Sequence, residues 1–308
     1  METFGHFAFA CSISLLALPT CAAAGQLKAI ASFSILGDLA KAVGGDRVEV
    51  VTLVGPNGDA HVYEPKPADA ASASMADVVL VNGLGFEGFI ERLAKASSTK
   101  ASIVEVSKGV TTIEAAGEGH EAEATDTERH HGGIDPHAFQ SVPNVRIYVK
   151  NIADAFCAAD AADCAVFKAN AAAYDIKLAA LDADIRAAVA SIPERKRVII
   201  TSHDAFGYFA HEYGLKFLAP EGISTDSEAS ASDVAKLIDQ LRADKASALF
   251  VENISDPRLV NQISAETGIK VGGALYSDAL SAADGTAGTY IEMMRYNVGT
   301  IKGAILGS

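Results

Sequence analysis

The sequence predicts an α/β protein of two lobes, each with a mainly parallel four-stranded sheet, joined by a long rigid backbone helix. Short apolar runs rich in β-branched residues alternate with amphipathic helical stretches in both halves, a pattern typical of buried parallel strands covered by helices. The two halves repeat each other weakly at an offset of 170 residues. Between them, Val145 to Ile192 has a helical pattern that is broken only near two cysteines.

The repeat is visible as ordered matches. Ala29-Ile-Ala-Ser-Phe-Ser-Ile-Leu-Gly37 aligns with Ile199-Ile-Thr-Ser-His-Asp-Ala-Phe-Gly207, and Val78-Val-Leu-Val81 with Ala248-Leu-Phe-Val251. Their common offset indicates two lobes of one βα plan. Eight strands are predicted, at about 27–32, 47–53, 77–81, 101–106, 196–201, 215–219, 247–251 and 269–274. Because right-handed crossovers bring the carboxyl ends of parallel strands to one edge, ligand sites are expected there.

Four segments follow from these patterns. The second part of the central helical region is Ala-rich, lacks Gly and Pro, and stops at Pro193. Such a helix of about 28 residues is about 42 Å long, enough to bridge two lobes and stiff enough to limit hinge motion. The predicted division is a signal peptide (1–24), an N-terminal α/β lobe (25–162), a bridging helix (163–192) and a C-terminal α/β lobe (193–308).

The first residues have the pattern of an export signal. Phe7 to Leu18 is mostly apolar and is followed by Pro19 and small residues, with a cleavage site after Ala24. This predicts a periplasmic protein. Two features leave alternatives open: the first six residues contain no Lys or Arg, so the start codon is uncertain, and Cys21 could instead be lipidated.

Cys157 and Cys164 are the cysteines that remain after the signal segment. Disulfides persist in exported proteins, so we predict a bridge that closes a short turn between two helices. The alternative, a metal site, lacks a second cysteine pair or a nearby His.

Charge narrows the choice of partners. The formal net charge is −14, which argues against nucleic acid and anionic membrane surfaces and suits a protein that attracts cations.

Three histidines lie where a site between two lobes is expected. His61 follows the second predicted strand, His137 precedes the central helical region, and His203 follows the fifth strand, while Asp278 comes after the eighth. Two of the four belong to each half. Each could equally be an ordinary hydrogen-bonded residue, and no short metal motif supports them. The pattern alone indicates only a two-lobed protein with a ligand in its cleft.

An ordered set of motifs changes this interpretation. It comprises His61-Val-Tyr-Glu-Pro-Lys-Pro67, Ala76-Asp-Val-Val-Leu-Val-Asn-Gly-Leu-Gly-Phe-Glu87, Asp135-Pro-His137, Thr201-Ser-His-Asp-Ala-Phe-Gly-Tyr-Phe209, Asp278-Ala-Leu280 and Thr289-Tyr-Ile-Glu-Met-Met294. With these motifs the chain resembles the ZnuA-like zinc/manganese substrate-binding proteins of ABC importers over nearly its whole predicted mature length. Its short His-containing loop is similar to that of the AztC-like zinc binders within this family.

The resemblance implies a metal site in the interlobe cleft with His61, His137, His203 and Asp278 as ligands. It also implies a monomer that captures Zn²⁺ and delivers it to the membrane permease of an ABC importer. Three imidazoles and one carboxylate suit tetrahedral zinc, whereas manganese prefers more oxygen ligands. Metal release is then expected as the pH falls through roughly 6 to 5.

Several other functions remain open. A manganese binder of the same family, an adhesin with this fold, a zinc hydrolase and a binder of an organic metal chelate are the alternatives. A hydrolase needs an open coordination position for water, which four protein ligands would fill.

Residues 114–133 are polar, acidic and without periodicity, which predicts a mobile surface loop. Its three histidines suggest a second hypothesis, low-affinity zinc capture or transfer from a periplasmic zinc carrier protein. A solvated linker explains the same composition. The histidines are His120, His130 and His131.

Overall fold

The computed structural model describes residues 25–115, 133–227, 229–244 and 246–307. The predicted signal peptide and the loop histidines lie outside the described residues. The ends of the acidic segment are joined, because the Ala115 amide donates to the Gly133 carbonyl oxygen at 2.8 Å.

The N-terminal half contains a four-stranded parallel sheet with the order β2-β1-β3-β4. Its strands are short and apolar, and those in the middle of the sheet are buried on both faces. Helices follow three of the strands. The elements are β1 (Leu27–Phe33), α1 (Ser34–Gly44), β2 (Val48–Val54), α2 (Pro67–Ser74), β3 (Val78–Val81), α3 (Ile90–Ser97) and β4 (Ser102–Glu105).

The C-terminal half repeats this plan, since its four parallel strands have the order β6-β5-β7-β8. The internal repeat is therefore confirmed, and each predicted strand lies within two residues of an observed one. The elements are β5 (Val198–Ile200), α6 (Gly207–Tyr213), β6 (Lys216–Leu218), α7 (Ala231–Asp244), β7 (Ala248–Glu252), α8 (Arg258–Thr267), β8 (Val271–Leu275) and α9 (Tyr290–Leu306).

Two long helices connect the halves, α4 (Val142–Ala159) and α5 (Cys164–Ala190). The Ser141 hydroxyl accepts a hydrogen bond from the Asn144 amide at the start of α4, a common helix cap. The 27 residues of α5 span about 40 Å. Because α5 contacts α1, α4 and α9, it packs against helices of both halves, as expected of a rigid backbone helix.

One continuous apolar core runs through β1, α1, α4, α5 and α9. A smaller core lies between α7, α8 and the second sheet. The lobes therefore share buried surface instead of being linked by a flexible segment, although the predicted domain boundaries remain a proposal. Within the described ranges, no helix is both long and apolar enough to cross a membrane.

Cys157 and Cys164 form a disulfide in the structure. The bridge joins the last turn of α4 to the first residue of α5. Next to it, the rings of Phe156 and Phe167 meet edge to face, with centroids 5.5 Å apart. The predicted helix–helix turn is thus closed covalently and also packed by aromatic contact.

We expect the double substitution Cys157→Ser/Cys164→Ser to cost about 2–3 kcal/mol of stability, because the bridge closes only a small loop. Its melting temperature should fall by several degrees. Affinity for the metal that the sequence resemblance implies should be unchanged, because Cys157 is 15 residues beyond the start of α4, about 22 Å from the end nearest His137. Differential scanning calorimetry and zinc titration measure the two quantities. A large loss of affinity would show that the bridge also shapes the cleft.

Candidate metal centre

The four predicted ligands meet in the cleft between the two sheets. Each follows a strand or precedes a helix: His61 lies after β2, His203 after β5 and Asp278 after β8, while His137 lies just before the short 3₁₀ turn Ala138–Gln140. Their donor atoms all lie within 4.8 Å of one another. The carboxyl edges of two parallel sheets thus supply three of the four groups, as expected for this architecture.

The imidazole Nε2 atoms surround one carboxylate oxygen. Asp278 Oδ2 lies 3.2 Å from His61 Nε2, 3.7 Å from His137 Nε2 and 3.1 Å from His203 Nε2. His61 Nε2 is also 3.3 Å from His137 Nε2. Two donors that each lie about 2.1 Å from one tetrahedral ion are about 3.4 Å apart. The cluster therefore has the dimensions of a single metal site.

The four groups are enclosed. The side chains of His137, His203 and Asp278 are fully buried, and that of His61 is 5% exposed. Asp278 Oδ1 has no hydrogen-bond partner among the described residues. A buried carboxylate with an unpartnered oxygen is costly in the absence of a cation.

A second carboxylate orients His137. Asp135 Oδ1 lies 2.8 Å from His137 Nδ1 and also accepts the His137 backbone amide at 2.9 Å. This contact points Nε2 at the cluster and fixes the tautomer that metal binding requires. Gly207 permits the arrangement, because a Cβ atom at that position would collide with Asp135 Oδ2.

Glu252 plays the equivalent part for His203. It is the last residue of β7, and its Oε2 lies 2.6 Å from His203 Nδ1. Its Oε1 accepts the backbone amides of Ser202 and His203 at 2.7 and 2.9 Å. The buried carboxylate therefore holds both the ring and the backbone of the ligand loop.

His61 is held differently. Its backbone amide donates to Asp59 Oδ1 at 2.9 Å, while Asp59 Oδ2 accepts the Thr225 hydroxyl from the other half of the chain. The Phe86 ring meets the His61 ring edge-on at 4.8 Å. His61 is thus positioned by its loop and an aromatic wall, and it is the most exposed of the four groups.

The close contacts between buried histidines and carboxylates shift the pKa values of several of these groups. Burial alone lowers the pKa of His137, but Asp278 and Asp135 outweigh it and raise the pKa to about 9. Burial also lowers the pKa of His203, but Glu252 and Asp278 outweigh this effect. The pKa of His203 therefore lies well above its usual value. Although burial raises the pKa of Asp278, His137 and His203 bring it well below its ordinary range. Without a metal, the carboxylates therefore hold protons on His137 and His203.

Sequence reasoning missed part of this site. Asp135 lies two residues before His137, and this closeness in the sequence did not reveal its contact with the ring. For Glu252 the sequence contained one indication of a role at the site, because it is a carboxylate at the carboxyl end of a buried strand. Asp204 directly follows His203, and burial raises the pKa of its carboxyl group. The loop histidines lie outside the described residues.

Known proteins share both the sequence pattern and the fold. The profile of the family described as "ZnuA: Zinc-uptake complex component A periplasmic" matches residues 30–304. The manganese-binding lipoprotein MntA of Bacillus subtilis is 34% identical over 287 residues, 91% of this chain and 90% of its own. The iron-binding protein YfeA of Yersinia pestis is 33% identical over 279 residues, 90% of this chain and 86% of its own.

Solved structures of two metal-binding proteins have the same fold as this chain. The periplasmic zinc binding protein TroA of Treponema pallidum superposes with a TM-score of 0.82 at 28% identity, covering 91% of this chain and 99% of that one. A Mn-bound periplasmic metal binding protein from candidatus liberibacter asiaticus gives 0.78 at 29% identity, with 91% and 100% covered. The resemblance seen in the sequence is confirmed: the chain belongs to the ZnuA family of metal-binding, substrate-binding proteins of ABC importers.

Proposed function

We propose that this protein captures Zn²⁺ with high affinity and delivers it to the membrane permease of an ABC importer. The observation that carries the proposal is the convergence of three imidazole Nε2 atoms on one buried carboxylate oxygen. His61, His137, His203 and Asp278 are the proposed ligands. Imidazole nitrogens and a carboxylate oxygen are zinc ligands, and four such donors suit a tetrahedral zinc ion.

The order in which nitrogen-rich sites bind divalent metals supports zinc over manganese. Among divalent first-row metals, nitrogen-rich sites bind zinc more tightly than manganese, and manganese favours oxygen donors. Here nitrogen outnumbers oxygen three to one among the proposed ligands.

The negative charge of the buried carboxylates favours binding of a divalent cation. Counting ligands alone, three neutral imidazoles, Asp278 and a divalent ion sum to +1. The structure adds Asp135 and Glu252, which contact two of the imidazoles. With all three carboxylates ionised, the metal-loaded cluster carries −1. The buried negative charge favours a divalent ion over an empty site.

Manganese is the second candidate. Relatives at 33–34% identity are named as manganese-binding, and Asp278 Oδ1 is free to add a fifth donor atom. A bidentate carboxylate would raise the oxygen content of the site, which suits manganese better than four-coordinate N₃O does.

A carrier role fits the enclosure of the site. Four protein donors fill the positions of a tetrahedral ion and leave none for a catalytic water, so we favour transport over hydrolysis. Export to the periplasm follows from the predicted signal peptide, and relatives are named as lipoproteins or periplasmic proteins. Docking to a permease and receipt of zinc from a carrier protein, with His120, His130 and His131 assisting, complete the proposed route.

Metal competition tests the choice of ion. Protein purified without a tag should contain about one zinc per chain, and zinc should displace manganese completely at equal concentrations because of the nitrogen-rich donor set. Elemental analysis after dialysis against both ions measures this. If manganese is retained at equal concentration, the protein is a manganese carrier instead.

We expect Glu252→Gln to weaken zinc binding about 10- to 100-fold, because His203 would lose the carboxylate that orients it. A chelator competition titration measures the affinity. Glu266→Gln, a change to an exposed carboxylate of α8 that contacts Gln262, is the matched control and should bind zinc normally. Equal affinity of both variants would contradict the assigned orientation of His203.

Zinc affinity should rise with pH up to about 9, because zinc must displace the proton that His137 holds. Each displaced proton adds about a tenfold change in affinity per pH unit below its pKa. Since the folded-state pKa is raised, the stability that this proton gives is present in full below about 6.5 and lost as pH rises through 9. Zinc release on acidification should therefore begin at a higher pH than that expected for an ordinary imidazole.

Thermal melts with and without zinc measure this effect. The melting temperature of the metal-free protein should decline between pH 7 and 9.5, and the increase caused by zinc should grow over the same range. A zinc-induced increase that does not depend on pH would contradict proton displacement.

A further inference from the structure

Asp278 lies on a segment without regular secondary structure. β8 ends at Leu275 and α9 begins at Tyr290, so neither a strand nor a helix fixes the carboxylate. Yet its Oδ2 lies within 3.7 Å of three imidazole nitrogens. Something else must hold the backbone on both sides of Asp278.

Side chains of the N-terminal half provide this support. Gln140 Nε2 donates to the Ser277 carbonyl oxygen at 2.5 Å, and the Leu280 amide donates to Ser34 Oγ at 2.9 Å. Both Gln140 and Ser34 are buried. The Leu280 carbonyl oxygen also accepts the Asn57 amide at 2.9 Å. The residues before and after Asp278 are thus held from across the cleft.

The C-terminal half holds the same segment through Asn253 and Asn297. Asn297 Oδ1 accepts the Tyr276 amide at 2.9 Å, and Asn297 Nδ2 donates to the Tyr276 carbonyl oxygen at 2.7 Å. Asn253 Oδ1 accepts the Ser277 amide at 3.3 Å, and Asn253 Nδ2 donates to the Ala279 carbonyl oxygen at 3.1 Å. Asn253 directly follows Glu252, which orients His203. The turn therefore has contacts to both lobes.

The two cross-cleft residues are themselves tied to the rest of the site. The Gln140 amide donates to the His137 carbonyl oxygen at 2.9 Å, so Gln140 links the loops of two proposed ligands. Ser34 is the first residue of α1, and one turn later Asp38 Oδ2 accepts the Tyr290 amide at 2.9 Å. One face of α1 thus contacts both ends of the segment 280–290.

We propose that Gln140 and Ser34 are positioning residues for metal binding, which hold the Asp278 carboxylate at the metal position from the opposite lobe. The inference rests on the proposed function, since it takes Asp278 as a ligand. Because the turn has no secondary structure of its own, losing either hydrogen bond lets the carboxylate move relative to the three imidazoles. Misplaced ligands weaken metal binding even when all four are present.

The test is a double-mutant cycle on the full-length protein. Gln140→Met and Ser34→Ala are made singly, each with Asp278 intact and with Asp278→Asn, and zinc affinity is measured by chelator competition. The Co²⁺-loaded proteins are compared by their visible absorption, which reports coordination geometry. Ser97→Ala is the matched control, because Ser97 is buried at the end of α3 and its hydroxyl bonds to the backbone of Ala94 and Thr99.

With Asp278 present, each substitution should weaken zinc binding about 10- to 100-fold and change the cobalt spectrum. With Asp278→Asn, the same substitutions should change affinity less than about threefold, because the group that they position is gone. Ser97→Ala should leave affinity and spectrum unchanged. Equal losses in both backgrounds, or unchanged affinity with Asp278 present, would overturn the proposal. Normal zinc affinity of Asp278→Asn alone would instead overturn the proposed ligand set.

Discussion

The burial of the Asp278 carboxylate is the constraint on which the cleft depends. A fully buried carboxylate is tolerated only next to positive charge, either protons on imidazoles or a metal ion. His137 and His203 provide the first solution in the metal-free state, and a divalent cation provides the second. Under the proposed function, binding and release would exchange one compensating charge for another within the same set of side chains, which would couple proton and metal occupancy.

The scaffold makes this exchange local. Two parallel sheets of the same order present their carboxyl edges to one cleft, and α5 packs against helices of both halves. A shared apolar core resists wide opening, because separating the lobes would expose it to water. The lobes are therefore joined by packing as well as by the chain.

The proposed ligands are not held equally firmly by neighbouring residues. His137 and His203 each contact a carboxylate through Nδ1, which fixes their rings and increases their basicity. His61 is held by the backbone contact of Asp59 and by the edge of Phe86, and it is the ligand nearest solvent.

Local patterns in the sequence were enough to predict the two βα lobes, the long helix between them and the approximate position of every strand. These features follow from hydrophobic periodicity and from the absence of Gly and Pro in α5. It also placed His61, His203 and Asp278 after strands, where parallel sheets bind ligands. The contacts of Asp135 and Glu252 with two imidazoles are visible only once the chain is folded. The same is true of the bonds from Gln140 and Ser34 to the Asp278 turn. Glu252 is 49 residues from His203 and Gln140 is 137 residues from Ser277. Contacts between such distant residues depend on how the two sheets face each other, which no local pattern records.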